Sequence, residues 1–148
     1  MSKRPGKTRE INLYRVNDFI LTDLPGYGYA RVPGPVRAAW HELIDDYVSN
    51  TALLRGALVL IDARRAVTAD DRRLVDFVAE FGTPLLFVIT KIDKISRSDR
   101  ARTLRDLEEQ LGVSGDQLLA TSAHTREGIP ALLDSIDSFI HSPIGGNS

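Results

Sequence analysis

The chain has 148 residues, 43% hydrophobic and 26% charged, the size and balance of one globular domain that buries its own core. With 19 Lys and Arg against 20 Asp and Glu, the formal net charge is −1, which excludes an overall basic field for nucleic acid and leaves only a local basic face. The absence of cysteine excludes disulfides, Cys-based zinc sites, iron–sulfur clusters and a thiolate nucleophile. Apolar runs such as Ala57–Ile61 and Leu85–Ile89 fall far short of the roughly 20 residues a membrane helix needs. Met1–Gly6 is basic but leads into no apolar segment, so no secretory leader is expected and the cytoplasm is the expected compartment.

In chain order, Glu10–Val16 and Phe19–Asp23 read as strands, with only Asn17-Asp18 between them, which predicts an antiparallel hairpin. Leu24–Pro35 is rich in Gly and Pro without a hydrophobic period and reads as a loop. Pro35 suits the first turn of a helix whose apolar stripe runs from Val36 through Trp40 to Val48. Ala57–Ile61, ending at Asp62, predicts a buried strand. A helix follows with Leu74, Val75, Phe77, Val78 and Phe81 on one face, and Gly82 is its stop. Leu85–Ile89 predicts a second buried strand. Ser96 and Asp99 have capping-box spacing ahead of a helix carrying Leu104, Leu107 and Leu111. Leu118–Ser122 reads as a last short strand, and Pro130 opens a final helix with Leu132, Leu133, Ile136, Phe139 and Ile140.

Apolar strands alternating with amphipathic helices predict an α/β fold: a mostly parallel sheet, buried on both faces, with one antiparallel hairpin strand. Ligands of such sheets sit at the carboxyl ends of the strands. Those ends carry Asp23-Leu24-Pro25-Gly26, Asp62-Ala63-Arg64, Thr90-Lys91-Ile92-Asp93 and Thr121-Ser122-Ala123. An acid followed by Gly three residues on suits a nucleotide site: the carboxylate holds Mg²⁺ through water, and the Gly N–H approaches a terminal phosphate unobstructed. Alone, it is also an ordinary turn. Asp93 could accept two parallel N–H bonds from guanine N1 and N2, a donor pair adenine lacks, while the stem of Lys91 packs on the base. Alone, that tetrapeptide reads equally as a solvated loop. A backbone N–H of Thr121-Ser122-Ala123 could donate to guanine O6. The succession of the three motifs, each just beyond a predicted strand, carries more than any one of them.

Taken together, Ser2-Lys3-Arg4-Pro5-Gly6-Lys7-Thr8, the hairpin, Asp23-Leu24-Pro25-Gly26-Tyr27-Gly28-Tyr29-Ala30, Trp40, Asp62, Thr90-Lys91-Ile92-Asp93 and Ser122-Ala123 with Gly128 resemble the EngB family of translation-factor-class GTPases. The resemblance implies a three-layer, P-loop-GTPase-like α/β/α fold and a guanine-nucleotide switch that works with Mg²⁺. It further implies GTP and GDP as ligands, the large ribosomal subunit or its RNA as partner, and no membrane or DNA partner. Roles in large-subunit assembly, cell division and septation follow from the same likeness. By it, Gly6, Lys7 and Thr8 form switch one, with Thr8 on Mg²⁺ and the γ-phosphate. Asp23, Leu24, Pro25 and Gly26 form switch two, with Asp23 the second metal contact. Thr90, Lys91, Ile92 and Asp93 form the guanine-specificity motif, and Thr121, Ser122 and Ala123 the loop over O6. Tyr27 stands where Ras-like enzymes carry a water-orienting Gln, which implies slow intrinsic hydrolysis and leaves the catalytic residue unassigned. Residues 1–141 are then a G domain from switch one onward, and 142–148 a flexible tail.

No Gly in the chain precedes Gly-Lys-Ser/Thr at phosphate-loop spacing; Gly6-Lys7-Thr8 is the nearest string, and it leads into a hairpin instead of a helix. The expectation is a partial G domain without the first strand, phosphate loop and first helix. Loss of three charge-assisted hydrogen bonds would remove roughly 5–9 kcal/mol of nucleotide affinity. Three readings therefore stay open: a guanine-nucleotide switch, a nucleotide-independent ribosome- or protein-binding module, and a truncated product without GTPase activity. The stretch Lys91–Arg105, with Arg97, Arg100, Arg102 and Arg105, reads as a solvated helix face or as a contact to RNA phosphates. His41, His124 and His141 lack metal-ligand spacing.

Overall fold

The computed structural model describes residues 12–23, 54–80 and 82–142, together with Glu42 and Asp46. The chain divides into two compact units, Met1–Ala52 and Leu53–Ser148. The Gly/Pro-rich loop, the Tyr27–Ala30 extension, Phe81 and residues 143–148 lie outside the described residues, as does the helix after Pro35 except for Glu42 and Asp46, which are both helical.

In the first unit, β1 (Asn12–Val16) and β2 (Phe19–Asp23) pair antiparallel, with Val16 opposite Phe19 and Asn12 opposite Asp23. The two-residue turn works because Asn17 takes φ 52°, a left-handed conformation that Asn tolerates better than most residues.

In the second unit, β3 (Ala57–Asp62), β4 (Leu85–Thr90) and β5 (Leu118–Ala120) form a parallel sheet in the order β3-β4-β5. Helix α1 (Ala69–Ala79) lies in the first crossover and α2 (Arg97–Leu111) in the second, and α3 (Ile129–His141) follows β5. Leu86, Phe87, Val88 and Ile89 of β4 are all buried, as a central parallel strand covered on both faces requires. Val59 and Ile61 of β3 join Phe87, Ile89, Ile92 and Leu107 in one core, with Leu74 and Val75 of α1 and Leu104 and Leu111 of α2 packed against it. Burial on both faces does not extend to β3: it is the edge of this sheet, and Leu60, pointing away from Val59 and Ile61, is 64% exposed. Leu133 of α3, placed by periodicity on the buried stripe, is likewise exposed. Helix α3 approaches closely at Gly56, where a Cβ would stand 2.4 Å from the Phe139 ring.

The strand predicted through Ser122 stops at Ala120. Thr121 N–H still bonds the Ile89 carbonyl at 2.8 Å, but Ser122 N–H turns to the Glu127 carbonyl at 2.9 Å, inside its own loop. The capping box also lies elsewhere than expected. At Ser96 the hydroxyl donates to the Asp99 carboxylate at 2.8 Å, and no side chain caps the backbone. The reciprocal pair forms at α1, where Thr68 Oγ1 accepts the Asp71 N–H at 3.1 Å and Asp71 Oδ2 accepts the Thr68 N–H at 2.9 Å. Among the described residues, no helix is long and apolar enough to cross a membrane. Thr68→Ala should accordingly lower stability by about 1 kcal/mol, whereas Ser96→Ala should change it by less than about 0.5 kcal/mol; equilibrium urea unfolding checks both.

Candidate nucleotide-base site

Parallel pairing brings the carboxyl ends of β3, β4 and β5 to one side, with Asp62 beside Thr90 in the register. The ladder continues past the strands. Ala63 N–H bonds the Thr90 carbonyl at 2.9 Å, and Ile92 N–H bonds the Thr121 carbonyl at 3.0 Å. Three loops that look separate in sequence are thus stitched by backbone bonds. The Thr90 hydroxyl reaches back to the Ile61 carbonyl at 3.4 Å and that of Thr121 to the Ile89 carbonyl at 3.3 Å. The Ile92 side chain is 1% exposed, so it anchors the turn in the core.

This anchoring leaves Lys91 and Asp93 facing outward. Lys91 adopts φ 61°, ψ 37° ahead of the short 3₁₀ turn Ile92–Lys94, a left-handed conformation that a non-glycine residue holds at a cost of order 1–3 kcal/mol. Asp93 Oδ1 accepts the Ser122 hydroxyl at 2.8 Å, and the same hydroxyl oxygen accepts the Thr125 N–H at 3.0 Å. With its lone pair engaged by Thr125, the hydroxyl has its proton aimed at the carboxylate. Ser122 is fully buried and Ala123 is exposed, and the Ala123 N–H bonds no carbonyl among the described residues. The loop carrying them closes at Gly128, which sits at φ +76° with the Ala120 carbonyl oxygen 2.0 Å from where a Cβ would be. Only glycine fits there.

Two further groups, unassigned to any site by sequence pattern, belong to the same end of the sheet. Asp62 accepts the Arg64 N–H at 2.9 Å, Arg64 Nε at 3.1 Å and Arg64 Nη2 at 2.9 Å, and Lys91 Nζ lies 3.7 Å from its Oδ2. The side-chain bonds from Arg64 chiefly, then its backbone N–H and its charge with that of Lys91, hold the Asp62 carboxyl far below the usual carboxylate range, outweighing partial burial. Asp62, and more weakly Asp93, in turn raise the Arg64 guanidinium above its ordinary value. A strand-end acid followed two residues on by Arg was the only sequence signal for this pair. Glu127 and Arg100 had none, being 27 residues apart.

Of the remaining expected site residues, Asp23 ends β2 as an exposed carboxylate, and Gly6, Lys7, Thr8, Leu24, Pro25 and Gly26 lie outside the described residues. Among the described residues, no three His, Cys, Asp or Glu side chains gather to hold a metal. An exposed carboxylate such as Asp23 fits Mg²⁺ held mainly by phosphate and water, and does not fit an all-protein cage.

The Ser122 hydroxyl is the first cause of an Asp93 carboxyl held below its ordinary value, aided by a backbone N–H and by the charges of Lys94 and His124. A lowered native value means this carboxylate stabilises the fold fully above the ordinary Asp value of about 3.9, and the contribution is lost as pH falls through the lowered one. Ser122→Ala should move the Asp93 carboxyl titration, followed by carbon NMR, upward toward the ordinary value.

The chain is similar to known proteins over most of its length. Residues 42–142 match the family model described as the elongation factor Tu GTP binding domain. The chain is 39% identical to a probable GTP-binding protein EngB of Gemmatimonas aurantiaca over 97% of this chain and 71% of that protein. The corresponding protein of Geobacter sp. strain M21 is 39% identical over 94% of this chain and 65% of its own length. The chain therefore spans about two thirds of the length of these relatives. Among solved structures, a crystal structure of a probable GTP-binding protein engB superposes with a TM-score of 0.75 at 23% identity, covering 93% of this chain and 83% of that one. Era in complex with MgGDPNP and nucleotides 1506–1542 of 16S ribosomal RNA superposes at 0.68 and 18% identity over 100% of this chain and 49% of that one. The shared architecture is the α/β fold of the P-loop GTPases, and the chain belongs to the EngB family.

Proposed function

We propose that the chain is a guanine-nucleotide-binding protein of the EngB type, working with Mg²⁺ in the cytoplasm, in assembly of the large ribosomal subunit and in cell division and septation. The observation that supports this most is the ionised Asp93 held by the aimed Ser122 hydroxyl, beside Lys91 and the exposed Ala123, whose N–H bonds no carbonyl among the described residues. In this reading Asp93 accepts guanine N1–H and the 2-amino group, the Lys91 stem covers the base, and Ala123 N–H donates to O6. Thr90, Ile92 and Thr121 hold these three in place. Gly6, Lys7, Thr8, Leu24, Pro25 and Gly26 act at the phosphates, with Thr8 and Asp23 on the Mg²⁺ ion, which when bound offsets phosphate charge. Residues 1–141 form the G domain, and 142–148 its tail.

Base selectivity follows from pairing. Adenine presents no donor pair and leaves the carboxylate unsatisfied. NMR titration at up to millimolar nucleotide is the measurement that reads this preference. The full chain should bind GDP in preference to ADP. Asp93→Asn should reverse the preference from guanine to xanthine nucleotide by about 10²-fold, since an amide donates to the xanthine 2-oxo group. A folded chain that binds neither purine nucleotide would leave a nucleotide-independent binding module instead.

For the RNA partner, the exposed charges on α2 matter. Arg97 and Arg105 are exposed, whereas Arg100 is not available, being engaged inside the fold. Joint replacement of Arg97 and Arg105 by Glu should weaken association with the large ribosomal subunit and flatten its salt dependence by about two counterions; sedimentation at graded salt checks this.

A further inference from the structure

Charge pattern alone puts Arg100 on a solvated face. In the fold its side chain is only 18% exposed and both ends of the guanidinium are used. Nε donates to the Ile95 carbonyl at 3.2 Å, and Nη1 donates to Glu127 Oε2 at 2.5 Å. Ile95 closes the 3₁₀ turn that carries Asp93, its N–H bonded to the Ile92 carbonyl at 3.0 Å. Glu127 accepts the Ser122 N–H on its own carbonyl at 2.9 Å, and the Ser122 hydroxyl bonds Asp93 at 2.8 Å. The connections close a ring: Arg100 to Glu127, Glu127 to Ser122, Ser122 to Asp93, and Asp93 through its turn to Ile95 and Arg100 again.

We propose that Arg100 is a positioning residue of the base site, clasping the 91–95 turn to the 121–128 loop from behind and thereby setting where Asp93 and Ala123 face the base. This rests on the guanine reading above. Asp93 and Ser122 meet at the front of the two loops through one hydrogen bond. The Ile92-to-Thr121 backbone bond also joins the loops, and Arg100 adds a side-chain link from the far end of the turn, at Ile95, to Glu127, so that the turn is tied at both its ends. Arg100 is largely out of water while the Glu127 carboxylate is 38% exposed, so salt screens this pair less than one with both partners on the surface.

A structural staple and a positioning clasp differ in what they do to selectivity. Hypoxanthine lacks only the 2-amino group that Asp93 alone reads, so the GDP-to-IDP affinity ratio reports the placement of that carboxylate. A loss of folded protein lowers both affinities equally. The experiment is NMR titration of the full chain with GDP, IDP and ADP for the unaltered protein, Arg100→Met, Arg100→Lys and Glu127→Gln, with amide hydrogen exchange on each in the absence of nucleotide. Arg100→Met should weaken GDP binding about tenfold and lower the GDP-to-IDP ratio, with Arg100→Lys recovering part of both. The Ser122 and Arg126 amides should exchange faster while those of β4 keep their protection. Glu127→Gln, which drops the charge but keeps an acceptor, should give the same changes at smaller amplitude, and stands in if Arg100→Met does not fold. An unchanged ratio with unchanged loop exchange, on a chain that prefers GDP, overturns the role of Arg100 alone. An unaltered chain with no preference for GDP over ADP overturns the guanine reading and this role with it.

Discussion

The burial of β4 on both faces is the constraint from which the candidate site descends. A strand with no exposed face must be flanked by parallel neighbours and covered by helices, and each crossover must return to the same end of the sheet. Leu86 to Ile89 meet that demand. Its consequence is that the loops after β3, β4 and β5 have nowhere to go but one rim. The backbone bonds from Ala63 to Thr90, Ile92 to Thr121 and Thr121 to Ile89 then fasten those loops before any side chain takes part. Chemistry at the rim is layered on a scaffold already in place.

Charge at the rim is distributed so that two acids do different work. Asp62 is saturated by Arg64 on both oxygens, with Lys91 nearby, and is occupied within the protein. Asp93 takes one hydroxyl and keeps acceptor capacity on its outward side. Both stay ionised, but only one has room to receive a ligand's donors. Arg64 lies close enough to be influenced by both acids, so the field at this rim is set by a connected group and not by Asp93 alone.

Much of this fold could be read from the residues, and the reasons are local. The Asn17-Asp18 turn, the apolar runs of β3 and β4, and Pro130 at the start of α3 are signals a few residues long, and each names its own structure. The motif Thr90-Lys91-Ile92-Asp93 was legible for a second reason: its order after a buried strand narrows what it can be. The misreadings are equally specific. Ser96 and Thr68 both stand three residues before an Asp, and spacing cannot tell which Asp will reach the backbone; Asp99 is drawn to the Ser96 hydroxyl, while Asp71 is buried against its cap. Leu60 and Leu133 follow apolar periods, yet exposure depends on what the rest of the fold lays against them. Arg100 and Glu127 meet across 27 residues, and nothing in either one's neighbourhood announces the other.

The backbone bonds that run on beyond the strand ends bear on timing as well as on form. Loops that must be ordered by a ligand charge that ordering to the binding step and slow it. Here the left-handed Lys91 turn is tied to the neighbouring loop by the Ile92-to-Thr121 bond, and the Ser122 hydroxyl points at Asp93. Under the proposed reading, a flat heterocycle arriving at this rim meets loops already tied to one another by backbone bonds. Under the proposed guanine reading, encounter runs at the pace of diffusion and correct orientation, and the lifetime of a base on Asp93 becomes the quantity through which affinity varies.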